Sequence, residues 1–432
     1  MSSVMFGDLA DGENGWHGWS GMPAQRDTVE GWDLWRRTRH QFVPAPRLEP
    51  ARWRGMPARE KSLYDLHRTA THANLPLLHT PMSRQVARAL TARMRANAFK
   101  SKPSTRPGVM VTGGGYQGKT ETVCEIAAAF EDSWRELNQG LNPNDVPGGH
   151  DLYVPVAYVQ TPVTAKPKST CKAILNFFGA PTKNMDLPDL VHQVAASLHD
   201  HGTRVLILDD ITRLRMHRAD DQDTLDLIRA FMSMHVTLIL VGVNIPASGL
   251  LREGRTDPRT GRIVMSSRSS VVHGLEPTQT ERRFDLVELG RFCYDTAAQI
   301  QAWVEHLAGV EEQLRLMNAQ AGMLTEHGMP EYLFERTQGV VGLLERLIED
   351  GCQEAMATGT EQLTEDLLDD IMLDLSGAIG RDPEAGEIPA VPSPPAKRKK
   401  RTPAKPSTAK KSRRNTVFDD HGPGGPDLKQ GA

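Results

Sequence analysis

The spacing of apolar and polar positions changes character along the chain. In the middle, the apolar runs Val109 to Thr112, Val154 to Gln160, Val205 to Asp209 and Val236 to Val241 alternate with helically spaced segments at Thr120 to Leu137, Leu187 to His201 and Thr224 to Met232. Near-continuous apolar strands separated by amphipathic helices predict a parallel sheet covered on both faces. Phe284 to Leu289 is expected to add a fifth strand. Upstream, Ser83 to Ala98 sets Val86, Leu90 and Met94 four residues apart, which is one face of a helix leading into the sheet. Downstream the period is helical throughout, over Ala297 to Asn318, Pro330 to Gln338, Leu343 to Met356 and Glu361 to Leu375, and predicts a smaller helical domain.

Both ends lack such a period. The N-terminal stretch mixes Gly, Pro and Arg with Trp16, Trp19, Trp32 and Trp35, and no fold is assigned to it. Its aromatics are too many for a solvated tail and imply packing against the main domain or a partner. The C-terminal AVPSPPAKRKKRTPAKPSTAKKSRRN run is nearly devoid of apolar residues and cannot bury enough surface to fold alone. It also changes the reading of charge. Lys397 to Arg414 carries ten Lys or Arg and no acid, so the net −3 of the chain leaves −13 on the remainder. Contact with nucleic acid is therefore expected from local patches or from this tail, where neutralised phosphates would release counterions.

Composition excludes several other classes. At 432 residues the chain exceeds one typical domain, and 39% hydrophobic with 24% charged residues is the ordinary soluble range. No run approaches 18 apolar residues, and MSSVMFGDLADGENGW has neither a basic nor an apolar leader region, so a cytoplasmic protein without a membrane partner is expected. Cys124, Cys171, Cys293 and Cys352 are scattered singly, which predicts reduced, buried thiols. His67, His72 and His79 are spaced by five and seven and cannot share one helical face, so surface histidines are expected rather than a metal site.

The residues that carry chemistry lie at the ends of the apolar runs. Gly113, Gly114, Gly115, Tyr116, Gln117, Gly118, Lys119 and Thr120 fit GxxxxGK[ST] between a strand and a helix, with Glu121 next in the helix. Such a loop turns successive N–H groups toward phosphates, and the helix N-terminus adds a favourable dipole. Lys119 is expected on the β- and γ-phosphates of ATP, and the Thr120 hydroxyl on Mg²⁺. About 90 residues on, Val205-Leu-Ile-Leu-Asp-Asp210 has the form of a buried strand delivering carboxylates at its C-terminal edge. Asp209 is expected in the Mg²⁺ shell and Asp210 as the carboxylate that polarises the attacking water. Asn244, ending the run from Thr237, is placed to sense the γ-phosphate or orient that water. Arg282 and Arg283, before the fifth strand, could serve a neighbouring subunit as arginine fingers or be a solvated basic pair.

In its order of motifs the chain resembles the TniB/TnsC-type AAA+ ATPases that accompany DDE transposases. The resemblance runs from about His79 to Asp350. It rests on His79-Thr-Pro before the leader helix, the P-loop, Val159-Gln-Thr-Pro, Ala173-Ile-Leu-Asn-Phe-Phe-Gly-Ala-Pro181 and the segment Leu206 to Leu214. It continues through Leu240-Val-Gly-Val-Asn244, Arg282-Arg-Phe-Asp-Leu-Val-Glu-Leu289 and Gly339-Val-Val-Gly-Leu-Leu-Glu-Arg-Leu-Ile348. The resemblance implies ATP-bound subunits that assemble as a homo-oligomer on duplex DNA and recruit or activate a transposase, with hydrolysis ending the assembly. Asp210 stands where such ATPases usually have glutamate, which implies slow hydrolysis, and Arg336 and Arg346 are the remaining candidates for a sensor arginine near Gly342. Two other readings compete: an ATP-dependent scaffold with little hydrolysis, and a signalling or defence ATPase that does not act on DNA. The expected architecture is an α/β P-loop AAA+ core of parallel sheet flanked by helices over residues 79–290. An N-terminal extension (1–78) precedes it, and an all-helical lid (291–380) and a disordered basic tail (381–432) follow.

Overall fold

A computed structural model describes residues 24–141, 153–163, 166–213, 221–245, 255–256, 263–264 and 283–373. The basic tail, Arg282, Trp16, Trp19 and Leu214 lie outside the described residues.

Strands β1 (Gly108–Gly113), β2 (Val156–Gln160), β3 (Val205–Asp209), β4 (Thr237–Val243) and β7 (Phe284–Glu288) form one sheet in the order β2-β3-β4-β1-β7. All four pairings are parallel, as the unbroken apolar runs predict. Two short strands, β5 (Arg255–Thr256) and β6 (Ile263–Val264), pair antiparallel apart from it. Every residue of β1, β3 and β4 is buried, whereas the edge strand β7 buries only Phe284 and Val287 and leaves Leu286 exposed. Each fully buried aliphatic side chain of the inner strands contributes about 1.5–3 kcal/mol.

Helices cover the sheet. Leader helix α4 (Pro81–Ala98) starts where Thr80 accepts the Ser83 N–H at 3.0 Å, with Pro81 in the first turn. It turns the predicted stripe of Val86, Leu90 and Met94 inward, each fully buried. Helix α5 (Lys119–Leu141) follows the P-loop, and α6 (Pro167–Phe177), α7 (Leu187–Asp200) and α8 (Asp221–Ser233) complete the layers. Helix α6 has no counterpart among the elements read from periodicity. The result is the α/β arrangement of a parallel sheet flanked by helices that the apolar runs predict.

The C-terminal helices α9 (Ala297–Glu311), α10 (Met329–Thr337), α11 (Val341–Thr358) and α12 (Glu365–Asp369) enclose a second core around Trp303, Leu333, Leu344 and Ile348. Two predicted helices are shorter than their patterns. The first ends at Glu311, whose carboxylate then accepts the Gly322 and Leu324 N–H groups of the following turn. The last is reduced to α12 because Glu361 is buried in a left-handed conformation and breaks the helix before it starts.

The N-terminal stretch is described from residue 24 on. Helix α1 (Val29–Thr38) buries Trp32 in the sheet core, where its indole N–H donates to Glu131 of α5 at 2.8 Å. Short α2 (Pro50–Arg54) and α3 (Ala58–Ala73) follow, with α3 against α11. The buried Arg68 of α3 makes a two-pronged contact with the buried Glu361, at 2.6 and 3.0 Å. His67 and His72 are buried, not on the surface as their spacing alone suggested, because α3 lies under residues 43–45 and against Arg315. Likewise, Cys293 is exposed while the other three thiols are buried.

Candidate nucleotide site

The P-loop leaves β1 at its C-terminal end, beside β4, and runs directly into α5. Gly113 cannot carry a side chain, since a Cβ there would stand 2.2 Å from the Leu289 carbonyl oxygen. Gly118 has φ 70°, a left-handed conformation at the point where the loop turns into the helix. Tyr116, at the loop's tip, is also left-handed (φ 57°) and is largely exposed. The buried Lys119 turns its ammonium back across the loop to the Gly114 carbonyl at 2.5 Å.

Asp209 is the centre of the site. It is 3% exposed, at the end of β3, and its Oδ2 accepts the hydroxyls of Thr120 and Tyr158, each at 2.8 Å. Its Oδ1 accepts the backbone N–H of Asp210 at 2.9 Å. Two oxygens as close as those of Thr120 and Asp209 suit adjacent positions around a small octahedral cation, so the pair fits Mg²⁺. Burial pushes the Tyr158 phenol upward, with Asp209 beside it adding to the shift, so this hydroxyl is a fixed donor to the carboxylate.

Asp210 adopts a left-handed conformation (φ 52°). Its Oδ2 accepts the Gln160 side-chain amide at 3.1 Å, from the end of β2. Asn244 is left-handed too (φ 43°), and its N–H reaches the Gly113 carbonyl at 3.4 Å. Lys119, Thr120, Asp209, Asp210 and Asn244 thus meet at the carboxyl ends of β1, β3 and β4, the crevice where open α/β sheets bind ligands. Arg283 is exposed at the start of β7.

The C-terminal helices reach the same site. The Gly342 N–H, in the first turn of α11, donates to the Tyr116 carbonyl at 2.8 Å. One turn on, Glu345 is held above the usual carboxylate range by desolvation and then by Glu121 and Glu349. Neither sensor-arginine candidate is turned to the site. Arg336 is taken up by Tyr332, Asp369 and the Leu368 and Ile371 carbonyls, and Arg346 pairs with Asp350 at 3.6 Å. Sequence reasoning also left out three residues of the site, Tyr158, Gln160 and Arg26, whose guanidinium pairs with Glu121 at 2.7 Å. Tyr158 and Gln160 sit in a strand whose apolar run hid them, and Arg26 lies outside any motif.

Residues 81–258 match the family model described as Bacterial TniB protein. Over that segment the chain is similar to the TniB family. The TniB segment contains the P-loop, Tyr158, Gln160, Asp209, Asp210 and Asn244, whereas the lid helices and Arg26 lie outside it. No curated protein matches the chain. Among solved structures it is similar to the Aeropyrum pernix Orc1 protein in complex with DNA, at 15% identity and TM-score 0.45 over 68% of this chain and 65% of that one. The chain thus spans slightly less than two thirds of that relative. It is also similar to Cdc6p from Pyrobaculum aerophilum, at 12% identity and TM-score 0.43 over 68% and 67%. Domain III of the Thermotoga maritima replication initiation protein DnaA is similar at 11% identity and TM-score 0.37 over 68% and 91%. Among the described residues, no helix is long and apolar enough to cross a membrane and no cluster of His, Cys, Asp or Glu forms a separate metal site.

Proposed function

We propose that this protein is an ATPase that binds ATP with Mg²⁺, assembles as a homo-oligomer on duplex DNA and regulates a transposase, with hydrolysis to ADP and phosphate ending the assembly. The observation that carries the reading is the convergence of Lys119, Thr120, Asp209 and Asp210 on one crevice within the TniB segment. The backbone of Gly113 to Gly118 cradles the phosphates, and Lys119 exchanges the Gly114 carbonyl for a phosphate oxygen. Thr120 and Asp209 hold Mg²⁺, which when bound neutralises phosphate charge. Asp210 orients the attacking water and takes its proton as the bond to the γ-phosphorus forms and the bond to ADP breaks. Asn244 steadies that water or the γ-phosphate. The exposed Arg283, with Arg282, serves a neighbouring subunit's nucleotide.

The test is ATP turnover and DNA retention on one purified sample, with and without duplex DNA, beside a Lys119→Ala control. DNA-stimulated turnover with ATP-dependent retention, both lost in the control, is the expected result. Absence of both effects would replace this reading with a protein-sensing ATPase. One observation favours a scaffold with little hydrolysis: the short Asp210 side chain is engaged by Gln160. Asp210→Asn separates the two, abolishing turnover in the first case and leaving ATP-dependent assembly intact in the second.

A further inference from the structure

Arg26 precedes the P-loop by nearly ninety residues and lies outside the TniB segment, yet it contacts a neighbour of each member of the Thr120–Asp209 pair, Glu121 and Tyr158. Its guanidinium makes a two-pronged contact with Glu121, Nη1 to Oε2 at 3.0 Å and Nη2 to Oε1 at 2.7 Å. Glu121 is the residue after Thr120, so this clamp fixes the first turn of α5. The same guanidinium sits over two aromatic rings, with its carbon 5.0 Å from the Trp35 centroid and 5.6 Å from the Tyr158 centroid. Tyr158 in turn donates to Asp209. Trp32 stacks on Tyr158 from the same helix, with centroids 6.1 Å apart and planes 12° apart.

The arm is anchored further along α5 as well. Arg39 reaches Glu125 at 3.3 Å and Asp132 at 2.7 Å, Arg36 pairs with Asp132, and Trp32 donates to Glu131. Stability alone is met by those contacts and by the buried Trp32. Arg26 is, among the described residues, the arm cation paired with the first turn of α5, next to Thr120. Its planar fork both grips a carboxylate and lies over rings, which a lysine cannot do.

We propose that Arg26 is a positioning residue for the Mg²⁺-nucleotide site, holding Thr120 in place through Glu121 and Asp209 in place through Tyr158. The inference rests on the reading of Thr120 and Asp209 as ligands of the ion. Coupling of this kind is reciprocal: if the docked arm favours the ligand geometry, Mg²⁺ and ATP together tighten the arm. The arm is then a regulatory input, because anything that lifts residues 24–38 from α5 weakens nucleotide binding without touching the P-loop.

The experiment is binding of a fluorescent ATP analogue to the full chain with Mg²⁺ and with EDTA, for wild type, Arg26→Ala, Arg26→Lys and Tyr158→Phe, with hydrogen exchange over residues 24–38. In wild type, affinity rises with Mg²⁺, and exchange in the arm slows when Mg²⁺ and ATP are both present. Arg26→Ala is expected to lose about tenfold of the Mg²⁺-dependent affinity, with the EDTA value within about twofold of wild type and the exchange effect gone. Arg26→Lys keeps the charge without the fork and falls between. Tyr158→Phe removes one hydroxyl from a folded site and gives the same Mg²⁺-selective loss, so the proposal stays testable if Arg26→Ala does not fold. Equal Mg²⁺ dependence in wild type and the variants overturns the role of Arg26 alone. A wild type that binds the analogue equally with Mg²⁺ and EDTA overturns the assignment of Thr120 and Asp209, and this inference with it.

Discussion

Gly342 and Tyr116 touch through their backbones: the N–H of the lid residue donates to the carbonyl of the P-loop residue at 2.8 Å. A Cβ on Gly342 would stand 2.6 Å from that oxygen and 3.2 Å from the Tyr116 Cβ, so only glycine permits the approach. The contact ties α11 directly to the loop expected to hold the phosphates. Gly342→Ala must move either the loop or the helix. Alanine favours helix over glycine by about 1 kcal/mol, so global stability should hold while ATP affinity drops about five- to tenfold. Titration of a nucleotide analogue beside a thermal melt checks this. Unchanged affinity in a folded variant would mean that lid and loop do not communicate through this pair.

Asp209 is the buried acceptor of three donors, from Thr120, Tyr158 and the Asp210 amide. Asp209→Asn replaces one accepting oxygen with an NH₂ group that must face a donor. The variant should lose the Mg²⁺ dependence of nucleotide binding and about 1–3 kcal/mol of stability, the cost of an unsatisfied buried polar group. Retained Mg²⁺ dependence would remove Asp209 from the metal site.

Much of this site was legible because its parts are local in sequence. Strand runs, the P-loop and the paired Asp209 and Asp210 are each encoded within a few adjacent residues, and the sheet follows from their periodicity. Contacts across the fold were not legible. Arg26 meets Glu121 and Tyr158 only because α1 docks on α5, and Gly342 meets Tyr116 only because the lid folds back. The burial of His67 and His72 was missed for the same reason: α3 has a weak apolar stripe, and it is covered by elements distant in the chain. Helix α6 was not read from periodicity although Cys171, Ile174, Leu175 and Phe177 are spaced to form its buried face.

Arg68 and Glu361 form a buried ion pair joining the N-terminal arm to the lid, and Glu361 also accepts the Met317 N–H at 3.1 Å. Removing one partner leaves an uncompensated buried charge, so Glu361→Ala should cost about 3–5 kcal/mol. Replacing both, by Arg68→Met with Glu361→Gln, should cost less than Glu361→Ala alone. Denaturant unfolding of the three chains measures the difference. A small loss for the single variant would show that water or Asp65, which also pairs with Arg68 at 2.6 Å, compensates the charge.

His72 of α3 and His306 of α9 give the fold a pH response whose direction follows from their burial. Desolvation pushes both imidazoles down to about 4, with Arg68 and Arg315 adding to the effect at His72. His72 accepts the Arg315 N–H at 3.0 Å through Nε2, an arrangement that only the neutral ring can make. An unfolded histidine titrates near 6.5, so between pH 6.5 and about 4 the unfolded chain binds more protons than the folded one. The stabilisation is therefore fully present above pH 6.5 and is lost as pH falls through this window, by up to about 3 kcal/mol for each ring. Urea unfolding followed from pH 7 to pH 4 should show this fall, and His72→Gln should lower the proton uptake on unfolding by close to one. If His72→Gln and wild type share the same slope, His72 is already protonated in the fold and its contact with Arg315 must break above pH 4.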